Sequence, residues 1–193
     1  MSNTSKSFVD DLINSYFDLG SAALERKEYA IAQKMFKAVF EEAASKAQKE
    51  GLMLDLLLKS AETHVGLKQN YKAKLLYIRA LALYKRQVRI CDMQVLRILL
   101  RLAELNARQN LYRQALEFVE EAYAGYEKCL NPSPAEFVSG LRRTEKLLLL
   151  KNRKFEQKRI LEIMQIVKME ALQSIPATPD FVPSTGFVST QAH

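Results

Sequence analysis

The side chains able to do chemistry in this chain are few and stand apart. His64 is the only histidine besides His193 at the end of the sequence, and the two cysteines, Cys91 and Cys129, are far from each other. A metal site needs several ligands at short recurring spacings. No Cys or carboxylate stands at such a spacing from His64, so it reads as a packing or surface histidine, and no metal or other cofactor is expected. Two cysteines make no disulfide framework, and reduced thiols are expected. The adjacent carboxylates Glu41-Glu42 and Glu120-Glu121 fall on predicted solvated helix faces. The glycines are isolated, so no loop cradles phosphate, and G-x-S-x-G, H-E-x-x-H and C-x-x-C are all absent. General acid–base and nucleophilic catalysis lack their usual groups. The expectation is a binding protein, not an enzyme.

What remains is charge. The formal charge is +7, unevenly placed. Residues 71–101 hold 8 Lys/Arg against 1 Asp/Glu, and residues 131–160 hold 8 against 3, net +7 and +5. Residues 1–70 hold 9 against 10, net −1. Arg97, Arg101 and Arg108 recur at steps of four and seven, which returns them to nearly one side of a helix, with Glu104 between them. Arg142, Arg143, Lys146, Lys151, Arg153 and Lys154 form the second block. Such surfaces attract acidic peptides, nucleic acid or anionic lipid. Phe155 is the lone aromatic in the second block, so no base-stacking platform is built there. RNA or anionic-surface binding through 71–101 and 142–159 stands as the alternative to protein binding. A structural subunit of a larger assembly is a further alternative.

The elements that must position these charges are helices. Within YFDLGSAALERKEYAIAQKMFKAVF, residues 16–40, large residues recur at steps of three and four on either side of a turn near Lys27-Glu28. The first helix carries Tyr16, Leu19, Gly20 and Ala23, and the second Tyr29, Ala32, Phe36 and Val39. Gly20 and Ala32 are small where two helices must approach. The second-helix pattern returns as Tyr71, Ala73, Tyr77, Ala80 and as Tyr112, Ala115, Val119, Ala122. With Phe155 as a fourth anchor, the spacings are 71−29 = 42, 112−71 = 41 and 155−112 = 43. A near-constant period of roughly 20–50 residues marks a solenoid, whose units cannot bury their apolar faces alone. Further helix pairs are expected over about 52–67 with 70–90, and 92–109 with 111–130. Asp92 is the cap of the third pair, and Gly51 is expected just past the end of the second helix. After Asn131-Pro132-Ser133-Pro134, Ser133 can cap a helix over 134–150, and a last helix ends near Gln173.

These residues resemble the tetratricopeptide repeat (TPR) family. Tyr16, Leu19, Gly20, Ala23, Tyr29, Ala32 and Phe36 match its pattern, and the long period is similar to its kinesin-light-chain subtype. The resemblance implies an all-α, right-handed α-solenoid of about four helix pairs. It also implies a scaffold or adaptor that binds a protein or peptide segment in a concave groove lined by the first helix of each pair. Carried over, the groove residues are Asn14, Phe17, Ser21, Lys59, Thr63, Arg97, Leu100, Arg101, Glu104, Arg108 and Arg143, and an acidic partner fits their charge. The two-Lys, two-Asn clamp with which some members hold the acidic C-terminus of heat-shock chaperones is not matched, since Asn14 is present and the lysines are not.

The expected domain organisation is a disordered lead over 1–6, the solenoid over 7–173, with Ser7 as first cap, and a Pro/Ser/Thr-rich flexible tail over 174–193. Phe181 and Phe187 in the tail could anchor it in a groove. The last helix carries Ile160, Leu161, Ile163, Met164, Ile166, Val167, Met169 and Leu172, apolar on more than one side, which points to self-association or tail packing. The polar start lacks the apolar core of a signal peptide and no stretch is long and apolar enough to span a membrane, so a soluble cytoplasmic protein is expected.

Overall fold

A computed structural model describes residues 2–44, 50–87, 92–129 and 132–173. Among these it has eight α-helices: α1 Ser2–Glu25, α2 Tyr29–Ala44, α3 Glu50–Gly66, α4 Asn70–Gln87, α5 Met93–Arg108, α6 Tyr112–Tyr126, α7 Pro134–Leu150 and α8 Lys154–Gln173. No strand occurs among the described residues. Each odd-numbered helix packs against the next even one, and α3, α5 and α7 each also pack against the preceding pair. This is an α-solenoid of four helix pairs.

The turn inside each pair is the same device four times. Lys27, Lys68, Asn110 and Asn152 all adopt positive φ, between 54° and 62°. Their spacings are 68−27 = 41, 110−68 = 42 and 152−110 = 42. One residue later the chain bonds back into the helix it has left. The amides of Glu28, Gln69, Leu111 and Arg153 donate to the carbonyls of Ala23, His64, Asn106 and Leu148 at 2.8–2.9 Å. This left-handed C-terminal cap satisfies carbonyls that the helix end would leave bare. The fourth pair, whose sequence keeps little of the pattern, has the same turn and is a true repeat.

Inside the pairs, small residues meet large ones. Ala32, Ala73 and Ala115 are fully buried at equivalent positions, followed four residues on by Phe36, Tyr77 and Val119. A Cβ on Gly20 would stand 2.7 Å from the Phe36 ring, so the first pair closes only because position 20 has no side chain. α5 is the axis of the core: Leu96, Leu99, Leu100 and Ala103 pack with α6, α7 and α8, and Ile98, Leu102 and Leu105 pack with α3 and α4.

Several expectations are corrected. Counted back from the buried alanines, Asn70, not Tyr71, stands where Tyr29 and Tyr112 stand. Tyr71 and Phe155 are 69% and 79% exposed and anchor nothing. Gly51 lies in the first turn of α3 and not beyond the end of α2. α1 reaches back to Ser2, past Ser7 and over residues 2–6 of the stretch read as a lead, which hold no Pro or Gly to stop it. Asp92 does cap α5, accepting from the Gln94 amide at 3.0 Å and from the Tyr84 hydroxyl. Ser133 holds the extended cap conformation but makes no side-chain cap bond. Residues 174–193, with Phe181 and Phe187, and Cys91 lie outside the described residues.

Candidate functional site

The site is built on α5 and the odd-numbered helices beside it. Burial dictates its centre. Glu104 is 4% exposed, and a carboxylate held there needs charge partners. It has three. Arg101 donates to it at 3.1 Å, Arg108 at 2.5 Å from one turn on, and Arg143 of α7 lies 3.2 Å away. Arg101 also donates to Glu62 of α3 at 3.3 Å. Arg97 makes a forked pair with Glu136 in the first turn of α7, one arm at 2.9 Å. Three consecutive first helices are thus joined by alternating guanidinium and carboxylate groups.

Proton affinities follow this lattice. The hydrogen bond from Arg97 holds Glu136 below the ordinary carboxylate range, and Glu136 in turn raises Arg97. Burial works against the Arg101 charge, but Tyr77, Glu104 and Glu62 around it leave it above its usual value. Tyr77 of α4 brings its hydroxyl to this cluster from behind. It is 2% exposed and its oxygen has no hydrogen-bond partner. Burial pushes its phenol far above the ordinary range. A cavity of about 290 Å³ opens in front of it, lined by Glu62, Tyr77, Arg97, Arg101, Glu136 and Arg143 over an apolar floor that includes Leu96 and Phe137.

The structure distributes the expected groove residues unevenly. Arg97, Arg101, Glu104, Arg108 and Arg143 come together. Asn14 is exposed on α1, and Ser21 spends its hydroxyl on the Phe17 carbonyl at 2.8 Å. Phe17 packs on Phe36 with ring centres 6.0 Å apart, and the Lys59 ammonium sits 5.6 Å over the Phe17 ring. Leu100, 3% exposed and pressed against Gly140, lies in the apolar floor of the cavity in front of Tyr77. One residue is displaced. Thr63 is fully buried, donates to the Lys59 carbonyl at 2.9 Å, and lines a different cavity, between α2, α3 and α4. Residues missed from sequence are Glu62, Glu136 and Tyr77. The turn residues give the signal that finds Glu62: it precedes Lys68 by six, as Glu104 precedes Asn110 by six.

Several cations of the two basic blocks are paired with carboxylates. Lys85 pairs with Glu121 at 2.8 Å, Arg159 with Glu120 at 2.6 Å, and Arg153 with Glu156. On α8, Ile160, Ile163, Met164 and Val167 face the core, while Leu161, Ile166, Met169 and Leu172 are 40–64% exposed. No helix among the described residues is long and apolar enough to cross a membrane.

The helix-pair geometry defines a TPR-like helical repeat. Solved structures with this fold include BtubC (BKLC) from P. vanneervenii, at TM-score 0.70 and 14% identity, over 95% of this chain and 72% of that one. They also include a putative kinesin light chain from Podosopora anserina with nearly identical TPR-like repeats, at TM-score 0.66 and 17% identity, over 84% of this chain and 77% of that one. No protein-family model matches the sequence, and no curated protein matches it.

Proposed function

We propose that the protein is an interaction scaffold that holds a segment of a partner protein against the faces of α3, α5 and α7. The observation that carries this is the cavity in front of Tyr77, where a buried hydroxyl without a partner meets half-exposed ion pairs over an apolar floor. Buried polar groups in folded proteins are rarely left unpaired, and a segment laid in the cavity supplies the missing acceptor. The arginines already have internal carboxylates, so a purely acidic segment must displace Glu136 from Arg97 and Glu62 from Arg101. A segment of mixed charge satisfies both signs, its carboxylates taking the arginines and its basic side chains the freed glutamates. The TPR-like fold supports the same reading, because stacked helical repeats present extended concave binding surfaces.

The test uses the partner recovered by affinity capture on the full chain. Arg97→Glu reverses a charge at the cavity mouth without touching the three arginines around Glu104. We expect it to weaken binding by about tenfold or more, the size of one lost charge-assisted contact. Arg26→Glu, at the far end of α1, should leave affinity unchanged. Equal losses from the two variants would remove the partner from this face.

A further inference from the structure

The even-numbered helices form three grooves on the other side of the molecule, and these grooves differ in charge. Between α4 and α6, Lys85 is neutralised across the groove by Glu121. Between α6 and α8, Arg159 is neutralised by Glu120 and Arg153 by Glu156. Between α2 and α4 no such compensation occurs among the described residues. A cavity of about 510 Å³ lies there, carrying Lys34, Lys37 and Arg79 and, among the described residues, no carboxylate in its lining. Lys37 has only a 3.5 Å pair with Glu41 on its own helix, and neither Lys34 nor Arg79 makes an ion pair among the described residues. The repeat itself shows the inversion. Two and five residues beyond the buried alanine, α2 has Lys34 and Lys37 while α6 has Glu117 and Glu120.

The floor of this cavity also asks for a ligand. Ser60 of α3 lines it, is 5% exposed, and its hydroxyl has no hydrogen-bond partner. Beside it His64 bonds through Nδ1 to the Gln69 side-chain oxygen at 2.7 Å. Since that oxygen only accepts, Nδ1 carries the proton and Nε2 is left for another partner. Phe36, Phe40 and Leu76 supply apolar wall. The volume is that of a small-molecule site, with mostly apolar walls and a few convergent polar groups.

We propose that the cavity between α2, α3 and α4 binds a small organic anion, a carboxylate or phosphate carried on an apolar body. Its head would lie among Lys34, Lys37 and Arg79, within reach of the Ser60 hydroxyl, and its body against Phe36, Phe40 and Leu76. The site is independent of the segment-binding face, which lies across α3 from it.

The experiment titrates octyl phosphate, octanoate and octanol separately into the full chain. Affinity is read by calorimetry and the site by the His64 ring resonances in NMR, identified by their loss in His64→Gln. At least one of the two anions should bind saturably and at least about tenfold more tightly than octanol, as charge-assisted contacts require. Whichever anion binds better names the head group. The same titration should shift the His64 ring, and its affinity should fall with added salt. Lys34→Gln with Arg79→Gln should reduce binding by about tenfold or more, while Arg113→Gln on α6 leaves it unchanged. Lys34 and Arg79 are exposed, so the double variant keeps its fold, as an unchanged melting curve would verify. Octanol binding as tightly as the anions, no binding of either anion at millimolar concentration, or full affinity in the double variant would each overturn the proposal.

Discussion

Two cationic regions of this molecule, one around α5 and one between α2 and α4, hold similar numbers of positive groups and use them in opposite ways. Around α5 the guanidinium groups of Arg101, Arg108 and Arg143 share the buried Glu104, with Glu62 and Glu136 at the edge. Between α2 and α4 the charges surround an open cavity that no carboxylate lines among the described residues. The first arrangement holds helices together. The second leaves an electrostatic demand that the described residues do not meet. Charge counted along a sequence therefore says little about charge available to a partner.

The largest expected effect tests the first half of that comparison. Glu104→Ala leaves three arginines without the carboxylate that draws them together across α5 and α7. Breaking a buried ion cluster from one side costs about 3 kcal/mol, roughly 6–12 °C in Tm for a chain of this size. A melting curve within a degree or two of the parent's would mean that the lattice is decoration. Acid should act on the same contacts. Arg97 holds Glu136, and Arg153 holds Glu156, below the ordinary carboxylate value of 4.5. Their contribution is present above that value and is lost as pH falls through the lower folded-state values. Glu156→Gln should flatten part of the fall of Tm with pH below 4.5.

Smaller effects sharpen the contrast. A double-mutant cycle between Arg97 and Glu136, both well exposed, should give a coupling of at most about 1 kcal/mol that shrinks with salt. In the α2–α4 cavity, Lys34→Gln with Arg79→Gln should change stability by less than about 0.5 kcal/mol, in either direction, because no internal partner is lost. A loss as large as that of Glu104→Ala would show that these cations are structural. The smallest effect belongs to His64. Burial lowers its pKa below 6.5, with Lys72 adding to the fall and the Gln69 bond opposing it. The unfolded chain then takes up a proton first as pH falls, so the stability present above 6.5 declines slightly below it. His64→Gln should abolish that slope.

Much of the fold could be read from the sequence because periodicity is a local property. Gly20, Ala32 and Phe36 named the close approach of the first pair, and the Pro134 start of α7 fell where the sequence put it. The anchors read as Tyr71 and Phe155 failed for a physical reason. An aromatic one residue out of register turns by about 100° around the helix, away from the neighbour that would bury it. The register is set by the turn, and the turn residues Lys27, Lys68, Asn110 and Asn152 are not glycines, so composition alone did not mark their left-handed conformation. In the site, Arg97, Arg101, Glu104 and Arg108 could be grouped because they share one helix. Thr63 was misplaced because its burial depends on packing within the α2–α4 cavity.

The sequence by itself determined that the chain is a repeat of helix pairs and which residues of α5 share a face, since backbone geometry relates residues three and four apart wherever the helix sits. Only the tertiary structure decided which charges are spent. Arg143 reaches Glu104 from 39 residues away, Glu136 reaches Arg97 from the same separation, and Lys34 and Arg79 find no carboxylate among the described residues. An ion pair depends on distance through space, and in a solenoid that distance is fixed by how one repeat stacks upon the next.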